Sequence, residues 1–497
     1  MNTDIKEEII SLLSRLGPGK MSPSAYDTAW VARLGDIDPE LSGRALEWLC
    51  QHQLPDGSWG AEQPFYYHDR VISTLSAMIA LASQKNRRSL RRQIEKGLVA
   101  LEWITERATK GLLADPNGAT VGFEMIVPTL VAEAEKLGLI KQQGERILGR
   151  IARLRQEKLA KIEDQKINRY VTMAFSAEMA GTDFQELLDV ENLQEANGSI
   201  GHSPSATAYF ACHVRPKDES SLAYLRRFVT KSGWAPNLIP FDVFERSWVL
   251  WNLSIADSWD DETDTVMCSI VDLLSSDWKR GQGIGLSAGY SIPDGDDTAL
   301  VFEVLSRFGY HPGVEALFLF EGEKHFRTYH LEADSSNSVN IHMLGAFRQA
   351  NFQLESGPVQ KTMAYLVNSM VEGAYWFDKW HLSPYYPTAH AVVACAGYAN
   401  SIVVKSIEWI LGSQKEDGSW GFQNSTAEET AYCIQALQVW RQNGGQMPKD
   451  VVKKALSWLE QNTEPPYPPL WIGKGLYNPE IVVRSAVLSA LRMARQG

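Results

Sequence analysis

The stretch with the densest chemistry is Ile292-Pro293-Asp294-Gly295-Asp296-Asp297-Thr298. It packs three carboxylates into four positions, with Ile284-Gly285-Leu286 before it and Ala299-Leu300-Val301-Phe302 after it. Each negative charge raises the pKa of its neighbours, and burial in apolar surroundings pushes the same way. One of the three is therefore expected to keep its proton at neutral pH. A neutral carboxyl in an apolar cavity is a Brønsted acid. On pattern alone a polar turn fits as well, because Asp-Gly is a common turn dipeptide. A calcium loop of the EF-hand kind fits poorly, since no Glu falls where its last ligand would stand.

The rest of the composition bounds what such an acid could serve. A chain of 497 residues, 44% of them apolar, suffices for two or three domains around a large core. The net charge of −12, with one short basic tract at residues 85–92, argues against nucleic acid as a partner. Cys50, Cys212, Cys268, Cys395 and Cys433 are scattered and form no C-x-x-C pair. Neither a disulfide framework nor a zinc site is expected, and a reducing cytoplasm is the expected compartment. Residues 1–16 are acidic and amphipathic, without the pattern of a signal or transit peptide. No apolar run approaches the ~18 residues of a membrane span, so no stable membrane insertion is expected. The chain holds 16 Trp, 17 Tyr and 17 Phe, an excess that suits either a core or a cavity that must stabilise a cation without offering it a nucleophile.

The elements that would position the acid are helices. Residues 4–16 carry Ile5, Ile9, Leu12, Leu13 and Leu16 at helical spacing, residues 24–30 open a second helix, and residues 39–51 form a third with Leu41, Ala45, Leu46 and Leu49 on one stripe. No sustained period-2 pattern occurs, so the fold is expected to be all-α. An internal repeat punctuates it: Gln53-Leu-Pro-Asp-Gly-Ser-Trp59-Gly60 returns as Gln414-Lys-Glu-Asp-Gly-Ser-Trp420-Gly421, each copy followed by an amphipathic helix, at 70–82 and 427–440. In each copy Asp-Gly makes the tight turn, Gln can bond backbone groups at a helix end, and Trp covers the joint between stacked helices. Two copies so far apart imply two related helical layers rather than a solenoid.

Paired Q-x-x-D-G-S-W-G segments with D-x-D-D-T between them resemble the class II terpene cyclases. Further segments are similar to the diterpene branch: Ser24-Ala-Tyr-Asp-Thr-Ala-Trp30, Gly122-Phe-Glu124, Ser203-Pro-Ser-Ala-Thr-Ala208, Pro236-Asn237, Phe244-Glu245-Arg246, Asp378-Lys-Trp380 and Trp471-Ile-Gly-Lys-Gly-Leu-Tyr477. Within that branch the resemblance is to bacterial halimadienyl (tuberculosinyl) and kolavenyl diphosphate synthases. It implies two α-helical double-barrel (α/α toroid) domains, β and γ. Residues 1–35 would supply the first helices of β, residues 36–235 an inserted γ domain, and residues 236–497 the rest of β with the acid motif. A ligand cavity is expected between the two.

The resemblance also implies roles. Asp296 is the expected general acid, with Asp294 and Asp297 holding it protonated and oriented. The implied substrate is geranylgeranyl diphosphate, whose terminal alkene takes the proton while the diphosphate is retained. Glu124 is an expected Mg²⁺ ligand, and a buried Glu satisfied by backbone is the competing reading. Lys379 and Arg348 are candidate diphosphate contacts. Lys158 and Lys161 are weaker ones, with a solvated helix face as the default. Trp251, Trp278, Trp376 and Tyr385 are candidate cation-stabilising faces, each also a plausible packing residue. Asp260-Asp261-Glu262-Thr263-Asp264 matches the D-D-x-x-D pattern of class I synthases, but carboxylates at a helix start need no further reason than the dipole, and the segment is read as structural. Where cyclases that make unrearranged ent-copalyl diphosphate carry a His–Asn pair to quench the bicyclic cation, this chain has Phe175 with Asn237. The missing base implies a longer-lived cation and a rearranged halimadane or clerodane (kolavane) product, unless the base has moved elsewhere. A downstream class I synthase or phosphatase is the implied partner. The competing readings are an unrearranged copalyl diphosphate synthase, a squalene-type cyclase, which typically has more repeats and an apolar membrane segment, and a non-catalytic helical toroid.

Overall fold

The computed structural model describes residues 3–85, 88–110, 115, 117–149, 151–160, 166–256, 259–332 and 334–496. The helices read from apolar spacing are present as Thr3–Ser14, Ala25–Ala32, Pro39–Gln51, Tyr67–Ala82 and Ala427–Gln442. Among the described residues the only regular strands are β1 (Trp471–Ile472) and β2 (Leu476–Tyr477), an antiparallel pair with Trp471 opposite Tyr477.

Helix packing closes two rings. In the smaller, α1 (Ala25–Ala32), α2 (Tyr67–Ala82), α3 (Phe123–Lys136), the 3₁₀ segment Thr172–Ala180 and α4 (Pro204–Tyr209) each touch the next, and α4 returns to α1. In the larger, the ring runs α5 (Asp242–Ser254), α6 (Gly295–Arg307), α7 (Asn337–Gln349), α8 (Tyr385–Cys395), α9 (Ala427–Gln442) and α10 (Glu480–Gln496), and α10 packs back on α5. Outer helices such as Asp261–Asp277, Gly357–Ser369, Asn400–Gly412 and Lys449–Leu459 cover that ring from outside. Inner helices such as Tyr67–Ala82, Gly295–Arg307 and Tyr385–Cys395 are buried along nearly their whole length, as helices between a barrel interior and an outer layer are.

Two apolar cores follow the rings. One gathers Ile5–Leu13 with residues from Val243 to Ala494, and the other runs from Tyr26 to Ile239. The assignment of residues 1–35 to the larger barrel therefore holds for the first helix only. Tyr26, Ala29 and Trp30 are packed in the smaller core, because α1 closes the smaller ring.

The repeat does the structural job expected of it. Gln53 Nε2 donates to Gly57 O (2.7 Å) and Gln93 O (2.9 Å); Gln414 Nε2 donates to Gly418 O (2.9 Å) and Val451 O (3.0 Å). Trp59 and Trp420 are fully buried, and their Nε1 groups donate to Leu49 O and Ile410 O at the end of the preceding outer helix. Gly57 and Gly418 have φ near +90°, and a Cβ at either would meet a backbone carbonyl, of Lys96 or Lys454, within 3 Å, so only glycine fits. The structure adds a degenerate copy. In Gln194–Gly201 the Gln bonds Gly198 O (3.0 Å) and Asn197 takes the Asp position, while Ile200 stands where the others have Trp.

The two barrels are stitched together by the β1–β2 hairpin. Lys474 at its tip is fully buried and sends Nζ into the smaller barrel, to Glu178 Oε1 (2.6 Å), Ser203 Oγ (2.7 Å) and Ser205 Oγ (2.7 Å). Leu476 N donates to Asp69 (3.0 Å), and Val121 N to Gly473 O (2.8 Å). A buried ammonium is tolerable here because a carboxylate and two hydroxyls surround it.

Candidate active site

The acid motif is the start of α6. Asp294 is the N-cap, and its Oδ1 accepts from Asp296 N (3.0 Å) and Asp297 N (2.8 Å). Capping by the first carboxylate fixes the backbone that presents the second. Thr298 holds the turn from below: its Oγ1 accepts from Ile284 N (3.0 Å) and donates to Ile284 O (2.9 Å). All three aspartates are buried. Burial pushes the Asp294 carboxyl up to about 7, with the charge of Asp296 adding to it and hydrogen bonds from Asp297 opposing it. Burial, then the charge of Asp294, pushes Asp297 well above the carboxylate range. Burial and crowding thus hold two carboxyls of the cluster above the ordinary carboxylate range, which meets the sequence argument that the three together keep at least one proton.

Asp296 is the one of the three that reaches across to another helix. Its Oδ1 lies 2.5 Å from His342 Nδ1 on α7, and its Oδ2 3.4 Å from Ser338 Oγ one turn earlier on α7. Ser338 is held in turn by Asp378, which accepts from its N (2.9 Å) and Oγ (3.1 Å) and from Trp380 N (3.0 Å). His342 Nε2 lies 2.9 Å from His390 Nδ1 on α8, and the Trp251 indole of α5 stacks on the His390 ring at 4.3 Å and 22°. The Asp296 side chain stays 12% exposed while His342 is 2% exposed. The arrangement is an acid clamped from behind by an imidazole, with one edge left open and aromatic faces from Trp248, Trp251 and Tyr386 packed around the clamp. It can deliver one proton and support the carboxylate that results.

The squalene-hopene cyclase C-terminal domain family matches residues 329–465, which carry α7, α8 and α9. The type B diterpene cyclase of Mycobacterium tuberculosis is 47% identical over 494 residues, covering 98% of this chain and 99% of the relative. The copalyl diphosphate synthase of Streptomyces anulatus is 29% identical over 532 residues, covering 100% and 93%. The solved structure of ent-copalyl diphosphate synthase from Streptomyces platensis matches with a TM-score of 0.81 at 27% identity, over 99% of this chain and 100% of that one. The chain belongs to the class II diterpene cyclases. Its two helical rings are the toroids of that fold, and it is an enzyme.

The other residues singled out in the cyclase fall into three groups. Trp251 lies beside the acid clamp, as just described. Phe175 and Asn237 meet at the barrel junction around Lys474: the Phe175 ring lies 4.5 Å below its ammonium, and Asn237 Oδ1 accepts from its backbone N (3.0 Å) while Asn237 Nδ2 donates to Asp27 (3.2 Å). The remainder are tied up elsewhere. Trp376 is fully buried with Nε1 on Leu366 O (2.9 Å), the same joint-covering role as Trp59 and Trp420, so its face packs helices rather than a ligand. Tyr385 packs on Trp409 of the outer layer, and Trp278 donates to Pro312 O. Arg348, at the far end of α7 from Ser338, donates to Val393 O and Ala394 O at the end of α8, with burial lowering its pKa. Lys379 pairs with Glu332 (3.1 Å) and donates to Asp334 O (2.5 Å), next to the Asp378 that holds Ser338. Glu124, in the first turn of α3, pairs with Lys158 at 3.1 Å. Lys161 lies outside the described residues.

Asp260 is the N-cap of Asp261–Asp277, accepting from Glu262 N and Thr263 N, and is paired with Lys6. That is the structural role expected of the D-D-x-x-D segment. The five cysteines are free, and no helix among the described residues is long and apolar enough to cross a membrane.

Sequence reasoning missed His342, His390, Asp378 and Lys474. The histidines stand alone in apolar helical runs, Val339-Asn-Ile-His342-Met-Leu and Thr388-Ala-His390-Ala-Val-Val, where a lone imidazole reads as a satisfied core residue. Asp378 stands beside Lys379, and nothing in its own segment announces the Ser338 that it holds forty residues earlier.

Proposed function

We propose that the cyclase protonates the terminal alkene of geranylgeranyl diphosphate through Asp296 and closes it to a rearranged bicyclic diphosphate of the halimadane or clerodane (kolavane) type. What carries the reading is the open edge of Asp296 with His342 behind it. The alkene π pair forms the new C–H bond, the O–H pair stays on Asp296, and the imidazole N–H stabilises the carboxylate left behind. A prefolded chain then closes two rings without a further bimolecular step. The aromatic faces near the acid offer the cation an attractive surface and no lone pair.

The ending of the reaction follows from Phe175 and Asn237. A phenyl ring cannot accept a proton. The Asn237 amide is pinned by Asp27 and by the Lys474 backbone, and an amide is far too weak a base to take the proton itself. Hydride and methyl shifts then compete with proton loss at that wall. The diphosphate itself is retained. Mg²⁺ binds through one or two carboxylates with substrate phosphate oxygens completing its shell. Glu124, whose carboxylate has a single cationic partner in Lys158, fits that donor set, and the ion would neutralise the diphosphate while Lys158 joins it there. Among the described residues no group of three or more His, Cys, Asp or Glu could hold a metal, so the substrate would have to supply most of the donors. Lys379 and Arg348 are further candidates for the diphosphate end only if they exchange their present partners. The product keeps a diphosphate, so the enzyme that consumes it must ionise or hydrolyse that group, as a class I synthase or a phosphatase does. The expected compartment is the cytoplasm.

The test is incubation with geranylgeranyl diphosphate and Mg²⁺, dephosphorylation, and identification of the alcohol by mass spectrometry and NMR. A rearranged bicycle without released inorganic diphosphate is expected, and Phe175→His should divert part of it toward an unrearranged or hydroxylated bicycle. A barrier change of ~1.4 kcal/mol alters the product ratio about tenfold. Wild type that makes only copalyl diphosphate would remove the argument from Phe175. Recovery of unchanged linear alcohol alone would remove the substrate assignment.

A further inference from the structure

Resting on the acid role of Asp296, we infer that His390 is a positioning residue that fixes the hydrogen-bond polarity of His342, so that His342 always donates to Asp296 and the acidic proton is held on the open oxygen.

The argument is one of counting donors along a chain. Asp296 Oδ1, His342 and His390 are joined in series by contacts of 2.5 and 2.9 Å, and His390 Nε2 at the end is buried with no hydrogen-bond partner among the described residues. Burial keeps the His390 imidazole neutral, and the neighbouring His342 and His381 rings oppose a charge there as well. With both rings neutral, each carries one donor and one acceptor, and two rings in series then admit only two polarities. In one, the Asp296 O–H donates to His342 Nδ1, His342 Nε2–H donates to His390 Nδ1, and His390 must carry N–H on the buried Nε2. In the other, His390 Nδ1–H donates to His342 Nε2, His342 Nδ1–H donates to Asp296 Oδ1, and the bare end of the chain is a lone pair.

The second polarity wins on two counts. Orphaned buried N–H groups are rarer than under-satisfied acceptors. The same polarity leaves the Asp296 proton on Oδ2, whose hydrogen-bond partner among the described residues is Ser338 Oγ at 3.4 Å, and Ser338 is already committed to Asp378. When that proton leaves, the donor that the new carboxylate needs is already aimed at it, with no reorganisation during the step. The Trp251 and Tyr386 rings against His390 keep water from the end of the chain and so hold the polarity.

His390→Phe keeps the ring and its stacking on Trp251 but removes the donor. His390→Asn loses the stacking but sets an amide N–H near the place of Nδ1. The expected result is a fall in kcat of at least tenfold for His390→Phe with KM unchanged, and a smaller fall for His390→Asn. A donated hydrogen bond favours the charged form of an acid, so its loss favours the protonated form. The high-pH limb of kcat should therefore move upward in His390→Phe. If packing were the whole role, the order of the two variants would reverse and the limb would stay in place; either result overturns the inference. A second readout needs no turnover. In protein labelled with ¹⁵N-histidine, with the two rings assigned through the variants, both should be Nδ1–H tautomers, and Nε2–H tautomers would overturn the polarity. Failure of wild type on geranylgeranyl diphosphate would count against the proposed substrate and leave the NMR result to decide this point.

Discussion

Two inner helices of the larger barrel start with nearly the same pattern and come to different ends. Asp294-Gly-Asp296-Asp297-Thr298-Ala299 opens α6, and Thr426-Ala-Glu428-Glu429-Thr430-Ala431 opens α9, which stands opposite α6 in the six-membered ring. In both an N-cap side chain accepts from the third residue in, and in both the Thr hydroxyl bonds the N and O of the preceding turn: Thr298 with Ile284, Thr430 with Trp420. The second carboxylate is treated differently. Glu428 is fully buried, and its Oε1 accepts from His381 Nε2 (3.2 Å), Tyr432 OH (3.1 Å) and Trp471 Nε1 (2.8 Å). Asp296 has one close partner, His342, and an open edge. A buried carboxylate surrounded by donors organises its neighbours, while the same position with one close donor and a partly exposed side chain can give a proton away. The pattern alone does not make the acid; the shortage of donors does.

The contrast is most easily broken at its two ends. Asp296→Asn keeps shape and hydrogen-bonding capacity but cannot supply a proton. Loss of a general acid costs ~10²–10⁴-fold, so turnover of geranylgeranyl diphosphate should fall at least that far with thermal stability little changed. Glu428→Leu should do the reverse. It leaves three buried donors without an acceptor and should lower stability by about 1–3 kcal/mol or more in chemical denaturation. Glu428→Gln, which keeps an acceptor, should retain turnover per folded molecule to within about tenfold, or 1.4 kcal/mol. If Glu428→Gln were as inactive as Asp296→Asn, the two helix starts would not differ as described.

A sharper, smaller effect is expected from pH. The Asp294 carboxyl is raised from 3.8 to about 7. A raised acid contributes stability that is fully present below its unfolded value and is lost as pH rises through its folded value. Stability should therefore decline between about pH 4 and pH 7 on this account. Asp294→Asn keeps a capping oxygen and should flatten that part of the profile in denaturation measured pH by pH. An unchanged slope would mean that another group carries it. The smallest effect is expected at the remaining acidic helix start. Asp260→Ala removes a cap and should lower stability slightly, but neither it nor Asp261→Ala should alter turnover by more than about twofold.

Much of this was legible in the chain because the signals are local. Helical spacing gave the helices, and a repeated Gln, Asp-Gly and Trp gave the turns that join them, since each of those side chains bonds within its own turn or to the next outer helix. D-x-D-D-T gave the acid because three crowded carboxylates are costly anywhere. What was not legible depends on contacts far apart in sequence. Tyr26 and Trp30 belong to the smaller core although they lie in the stretch that the resemblance gives to the larger barrel, because they pack against residues that arrive much later in the chain. Trp376 looks like Trp251 as a letter, and only its bond to Leu366 O separates a joint cover from a site wall. His342 and His390 belong to different helices, and no spacing within either announces that they meet. Lys474 reaches Glu178 only because the β1–β2 hairpin crosses between the barrels.

The central claim is that Asp296 starts the reaction with a proton. The most direct measurement is turnover of geranylgeranyl diphosphate in deuterium oxide, with the dephosphorylated product examined by NMR and the solution assayed for inorganic diphosphate. The account predicts one deuteron on the ring carbon that was the inner carbon of the terminal double bond, no released diphosphate, and neither product nor label with Asp296→Asn. A cyclic product without deuterium at that carbon, or one formed with release of diphosphate, would contradict it.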